Sequence, residues 1–199
     1  MNKHKKHIFI AASVAAAPSL VMGAFPLLGY APWGRSSMDI LVLLAVIYSF
    51  FHVLTVLVFK LLARKPKEFF PSIMLGIFLG GIIGLSLGTA MRMEGYERAG
   101  ERAAPLIHAV ENYIEKTGGP PQHLDQLVPE FLDSLPADIP PFKIVTGDKA
   151  YQSYYGNDWA LVFVAGSGLN WDELVYLPKQ NYQEIGSITR LGNWAYFHE

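Results

Sequence analysis

Three apolar stretches lie within the first 91 residues of this 199-residue chain, at roughly residues 8–30, 40–59 and 70–91, and no comparable stretch follows. Each has about 20 residues, enough for a helix rising 1.5 Å per residue to cross a hydrocarbon layer of about 30 Å. The sequence therefore predicts two parts: a three-helix transmembrane anchor over residues 1–91 and one exterior domain over residues 92–199. The fold class expected is an α+β membrane protein.

Charge follows the same division. Residues 1–91 hold eight Lys/Arg against two Asp/Glu, and residues 92–199 hold eight against fifteen. An acidic domain argues against nucleic acid as a partner. Lys3, Lys5 and Lys6 precede the first span, and Lys60, Arg64, Lys65 and Lys67 lie between the second and third, whereas only Arg35 lies between the first and second. The excess of basic residues in cytoplasmic loops places the N-terminus in the cytoplasm and residues 92–199 outside. Tyr30 and Trp33 suit the outer interface, and Phe69 and Phe70 the inner one. A cleaved signal peptide is the rival reading of the first span, with Met22 in place of the small residue expected three positions before a cut at Gly23-Ala24. That cleavage leaves the placement of the rest unchanged.

The spans carry three features. Pro18 and Pro26 bend the first, because each frees a backbone carbonyl. Tyr48, Ser49, His52 and Thr55 form a polar stripe in the second. His52 either marks a functional site or stays neutral and hydrogen-bonds a neighbouring helix. The third repeats glycine every fourth residue, at Gly76, Gly80, Gly84 and Gly88, with Gly81 beside them. Small residues at that spacing let another helix approach closely. The partner is another span or a second copy of the chain.

Beyond residue 91 the helical pattern continues, with Leu106, Ile107, Val110 and Ile114 along one face. Gly118-Gly119-Pro120-Pro121 ends it, and Pro105 either opens a new helix or kinks a continuing one. A short helix is expected over 124–128, then a proline-rich connector. Strands are expected over 142–146, 150–155, 159–165, 173–177 and 194–198, rich in β-branched and aromatic residues and separated by Gly/Asn/Asp turns. Such a region, about a hundred residues with its own helix and sheet, is expected to fold alone from about Gly95.

These residues carry a resemblance. The run from Ile107 to Tyr113, Gly118-Gly119-Pro120-Pro121, Leu124, Leu127-Val128-Pro129, Phe131-Leu132 and Leu135-Pro136 resembles the major pseudopilin of type II secretion and related type IV pilin-like proteins. The resemblance implies a pilin-like domain, a long helix packed on a short antiparallel sheet, in the periplasm of a Gram-negative-type bacterium with the spans in the inner membrane. The third span departs from that family. It follows Lys67-Glu68-Phe69-Phe70-Pro71, has no acidic residue near its start and is preceded by two further spans, so neither leader processing nor filament assembly is implied.

Candidate chemistry is sparse. The resemblance implies that calcium can order a loop of the sheet, and Asp148, Asn157, Asp158, Asn170 and Asp172 are the candidate oxygen ligands. The same residues also serve turns through their own backbone hydrogen bonds. No other cofactor is expected. His108, Glu111 and His123 are a weaker metal set, because a chain breaker separates His123 from the other two. Cysteine is absent, so thiolate chemistry is excluded. Gly166-Ser167-Gly168 lacks the further glycine of a dinucleotide loop and the flanks of a hydrolase nucleophile. Eight tyrosines and three tryptophans lie beyond residue 91, as core or as a recognition surface. The expectation is a non-catalytic membrane protein in contact with lipid and with a protein partner or itself. A small transport- or channel-associated subunit is the alternative, and an enzyme acting through the exterior domain the third.

Overall fold

The computed structural model describes residues 3–33, 37–61, 69–166, 172–182 and 187–198. Among the described residues three helices are long and apolar enough to cross a membrane: α1 (Lys3–Leu27), α2 (Ser37–Leu61) and α3 (Phe69–Arg102). Then follow α4 (Ala104–Thr117), a 3-10 turn (Leu124–Leu127), β1 (Lys143–Thr146), α5 (Gly147–Ser153), β2 (Trp159–Val164), β3 (Glu173–Tyr176), β4 (Ile188–Leu191) and β5 (Trp194–Phe197). The chain forms two compact units, Met1–Phe25 with Arg35–Arg92, and Pro26–Gly34 with Met93–Glu199.

In the first unit the glycine stripe of α3 lies against α1. A Cβ at Gly76 would sit 2.5 Å from the Ile8 carbonyl oxygen, and one at Gly84 2.6 Å from the Ala16 Cα. Gly80 meets Ala12 and Gly88 meets Ser19 in the same way. Contact positions rise together along both helices, so α1 and α3 run parallel. Backbones this close gain dispersion contacts where water supplies no hydrophobic drive. Gly81 faces Val46 of α2 instead. Large apolar side chains such as Phe9, Val14, Leu44, Phe51 and Leu87 remain exposed, as a lipid-facing surface requires.

The second unit is a five-stranded antiparallel sheet of order β1-β2-β3-β5-β4. Its register aligns Leu161, Tyr176, Trp194 and Leu191 across four strands on one face. Leu106, Ile107 and Val110 of α4 pack on that face, with Tyr96, Ala99 and Ala103 from the end of α3 and the turn after it. Alternation sends Ala160, Val162, Val175 and Ala195 to the opposite face, where Leu177, Tyr182 and Tyr154 cover them. Both faces of the central strands β2, β3 and β5 are thus largely buried, whereas the edge strands β1 and β4 are more open.

Several expectations need correction. The stretch 150–155 is not a strand: α5 occupies Gly147–Ser153, and only Ala150 of it is buried. Asp148 in its first turn suits the positive end of the helix dipole, and the run Tyr151-Gln152-Ser153 is exposed throughout, without a strand's alternation. β4 was not foreseen. Its signal is Gly192-Asn193, a two-residue hairpin turn in which Gly192 adopts φ +60° between two short β-rich runs. The alternatives at Pro105 merge, since α4 opens at Ala104 while the Ile107 N–H still bonds the Ala103 carbonyl at 3.1 Å. Trp33, expected at the outer interface, has its side chain 6% exposed in the second unit's core. The connector Pro26–Gly34 thus belongs with Met93–Glu199 rather than with the anchor.

Candidate functional site

The polar stripe of α2 divides. Ser49 is buried with its Oγ 3.8 Å from the Met74 sulfur of α3. Tyr48 is 63% exposed and stacks on the His52 ring at 6.4 Å, and the Thr55 hydroxyl donates to the Phe51 carbonyl at 2.8 Å. The reason is the helical step of about 100° per residue. Positions 48, 52 and 55 share a face, and position 49 turns away from it toward α3. Arg92, absent from the expected site residues, is 1% exposed. Its signal was a single cation directly after a long apolar run, where burial is costly and partners are needed.

Four of the five calcium candidates lie among the described residues, and two of these are buried and hydrogen-bonded to protein groups. Asn157 is fully buried and its amide is committed: Nδ2 donates to the Tyr154 carbonyl at 2.7 Å and to Asn181 Oδ1 at 2.8 Å, while Oδ1 accepts the Lys179 N–H at 3.0 Å. Asp172 is 2% exposed and accepts the Tyr196 hydroxyl at 2.9 Å. Asp148 and Asp158 are exposed, the latter 3.9 Å from the Lys179 ammonium. Asn170 lies outside the described residues. His108 and Glu111 pair at 3.2 Å on the exposed side of α4. No group of three or more His, Asp or Glu positioned for a metal occurs among the described residues.

Asn157 instead anchors a turn. It ends a four-residue turn whose central residues, Tyr155 and Gly156, have φ +54° and +73°, closed by the Asn157 N–H to Tyr154 carbonyl bond at 3.1 Å. Glycine accepts that conformation freely, but a bulky L-residue does not, at a cost of roughly 1–2 kcal/mol. The Asn181 side chain holds the Tyr155 carbonyl at 2.7 Å. The Tyr155 ring stacks on Phe197 at 6.3 Å and remains 40% exposed, and Tyr151, from the preceding helix, is 61% exposed. This strained aromatic turn was not foreseen, because 150–155 read as a strand.

Beneath it the sheet is secured by tyrosine hydroxyls. Tyr182 accepts the Leu177 N–H at 2.8 Å and donates to the Asn193 carbonyl at 3.0 Å, with the Arg190 guanidinium 4.0 Å above its ring. Tyr154 donates to Glu173 at 3.2 Å. Burial pushes both phenols well above their ordinary range, and the Glu173 charge pushes Tyr154 further. Both therefore stay protonated donors.

No protein-family model, curated protein or solved structure matches this chain.

Proposed function

We propose that this chain is a non-catalytic inner-membrane protein whose pilin-like α+β unit faces the periplasm and contacts a protein partner or a second copy of itself. Two arrangements support the placement. The connector after α1 and the residues after Arg92 share one core, so the C-terminal ends of the parallel helices α1 and α3 belong on one side. Lys3, Lys5 and Lys6 stand at the other end of α1, where the basic bias of cytoplasmic segments puts them inside. The long amphipathic helix laid on an antiparallel sheet supports the pilin-like reading.

The observation that carries the contact role is Tyr155. A bulky residue held at positive φ costs stability, and such strain gathers where it is part of a mechanism. Here it holds one partly exposed ring beside a second, Tyr151, and tyrosine is a common interface anchor. The test places a photo-crosslinking amino acid at position 151 in intact membranes. The expected product is a specific adduct with one protein or with a second copy, lost in Tyr155→Asn. Asparagine tolerates positive φ, so relief of roughly 1–2 kcal/mol of strain offsets about 0.5–1.5 kcal/mol of lost stacking, and the fold should persist. Adducts to lipid alone, or an adduct unchanged by Tyr155→Asn, would overturn the reading.

A further inference from the structure

Helix α2 has two opposite stripes. Val42, Ser49 and Val56 follow at steps of seven and are buried, Ser49 against Met74 and Val42 beside Gly81 of α3. On the other side Leu44, Tyr48, Phe51, Thr55 and Val58 follow at steps of four and three, and all of them are exposed. Alternating steps of four and three keep side chains in one line at a mean spacing of 3.5, the period at which two helices pack side by side as a left-handed pair.

Most of this outer stripe suits lipid. Leu44, Phe51 and Val58 are apolar, and the Thr55 hydroxyl is satisfied within its own helix by the Phe51 carbonyl. Tyr48 differs. It is 63% exposed, and its ring stacks on His52 of the same helix. Among the described residues its hydroxyl makes no hydrogen bond. It stands eight residues from Ile40 and ten from Val58, the ends of the apolar span. At 1.5 Å per residue those ends are about 12 and 15 Å away, beyond the reach of one side chain. Tyrosines at a membrane interface meet water and headgroups, but a phenol at mid-span meets neither. A hydroxyl in hydrocarbon without an acceptor is unfavourable. Tyr48 therefore calls for a hydrogen-bonding group at its own depth, supplied by a neighbouring molecule.

We propose that α2 pairs with α2 of a second copy of the chain along this stripe, with Tyr48 against Tyr48. Copies of one chain in one membrane share direction and depth, so a twofold axis along the bilayer normal brings the two phenols to the same height. A phenol both donates and accepts, so one hydroxyl donates to the other and the pair needs no third group. A different protein would need a polar group at that depth by coincidence, whereas a second copy carries it by symmetry. The Phe51 rings add apolar contact one turn along. The assignment rests on α2 crossing a membrane and does not need the contact at Tyr155.

The chain has no cysteine, so single cysteines in the full chain report the contact by disulfide formation in isolated membranes under mild oxidation. Leu44→Cys and Val58→Cys, on the stripe, should give a dimer band on a non-reducing gel. Leu43→Cys and Leu57→Cys, also exposed but turned by about 100°, should give little. Tyr48→Phe keeps the ring and removes the hydroxyl at a position the single chain leaves exposed. Energy transfer between labelled full chains diluted into phosphatidylcholine vesicles should show dimerisation weakened roughly three- to tenfold, the size of one interhelical hydrogen bond in a membrane. Tyr155→Asn should dimerise as the parent does, which separates this pairing from any made by the α+β unit. Equal crosslinking at all four positions, a Leu44→Cys adduct with a different protein in place of the dimer, or Tyr48→Phe dimerising like the parent would overturn the assignment. Loss of the dimer in Tyr155→Asn would also overturn it, in favour of pairing through the α+β unit.

Discussion

Trp33 lies in the short connector between two apolar helices, yet its side chain is buried with Tyr96 and Phe142 in the core of the α+β unit. The Tyr96 hydroxyl donates to its backbone carbonyl. Removing so large a buried side chain leaves a cavity as well as losing transfer energy. Trp33→Ala should therefore destabilise the second unit by about 3–5 kcal/mol, read as a lower thermal midpoint of the whole chain in detergent. A midpoint equal to the parent's would mean that the connector does not complete this core. The same contact bears on residues 95–199 as a unit, since without Trp33 the core lacks one of its aromatic walls. At this scale the sequence reveals a residue's type but not its neighbours. The aromatic enrichment was visible, whereas the burial of Trp33 depends on a fold that joins positions more than sixty residues apart. Asn157 is similar. Its turn propensity was legible, but two of its three side-chain hydrogen bonds depend on a loop containing Lys179 and Asn181.

Among the elements, α3 was the most legible, because a four-residue glycine period states the requirement for close approach directly. Which helix approaches is a tertiary matter, and Ala12, Ala16 and Ser19 answer it by offering small residues of α1 at matching heights. Gly84→Ile would force a branched side chain into the Ala16 backbone. The expected result is loss of the α1–α3 contact, with a thermal midpoint in detergent clearly below the parent's, whereas Ile82→Ala, at an exposed position, should leave it unchanged. Equal midpoints for Gly84→Ile and the parent would contradict the seam. The strands β1, β2, β3 and β5 were legible from β-branched and aromatic runs. Helix α5 was not, since seven residues with one buried alanine carry no helical period. Strand β4 was hidden because four residues ending in Arg190-Leu191 look polar until the Gly192-Asn193 turn pairs them with β5.

For the whole molecule, the sequence read the division into an apolar, basic part and a polar, acidic part, because bilayer thickness and charge bias act on composition alone. It misplaced the connector, which composition left next to the spans and tertiary contact joins to the α+β unit. The candidate site was least legible. Backbone strain at Tyr155 and the packing of Trp194 on Gly100 arise from tertiary structure and leave no periodic trace. The central claim is that Pro26–Gly34 and the residues after Arg92 share one side of the membrane, opposite the N-terminus. The absence of cysteine makes the chain its own labelling background. Single substitutions Tyr30→Cys and Ser134→Cys, both at exposed positions, and Lys5→Cys at the other end of α1, report the three places. In spheroplasts of a bacterial host treated with a membrane-impermeant maleimide, Tyr30→Cys and Ser134→Cys should label at once and Lys5→Cys only after lysis. Labelling of Lys5→Cys before lysis, or opposite behaviour of Tyr30→Cys and Ser134→Cys, would contradict the account.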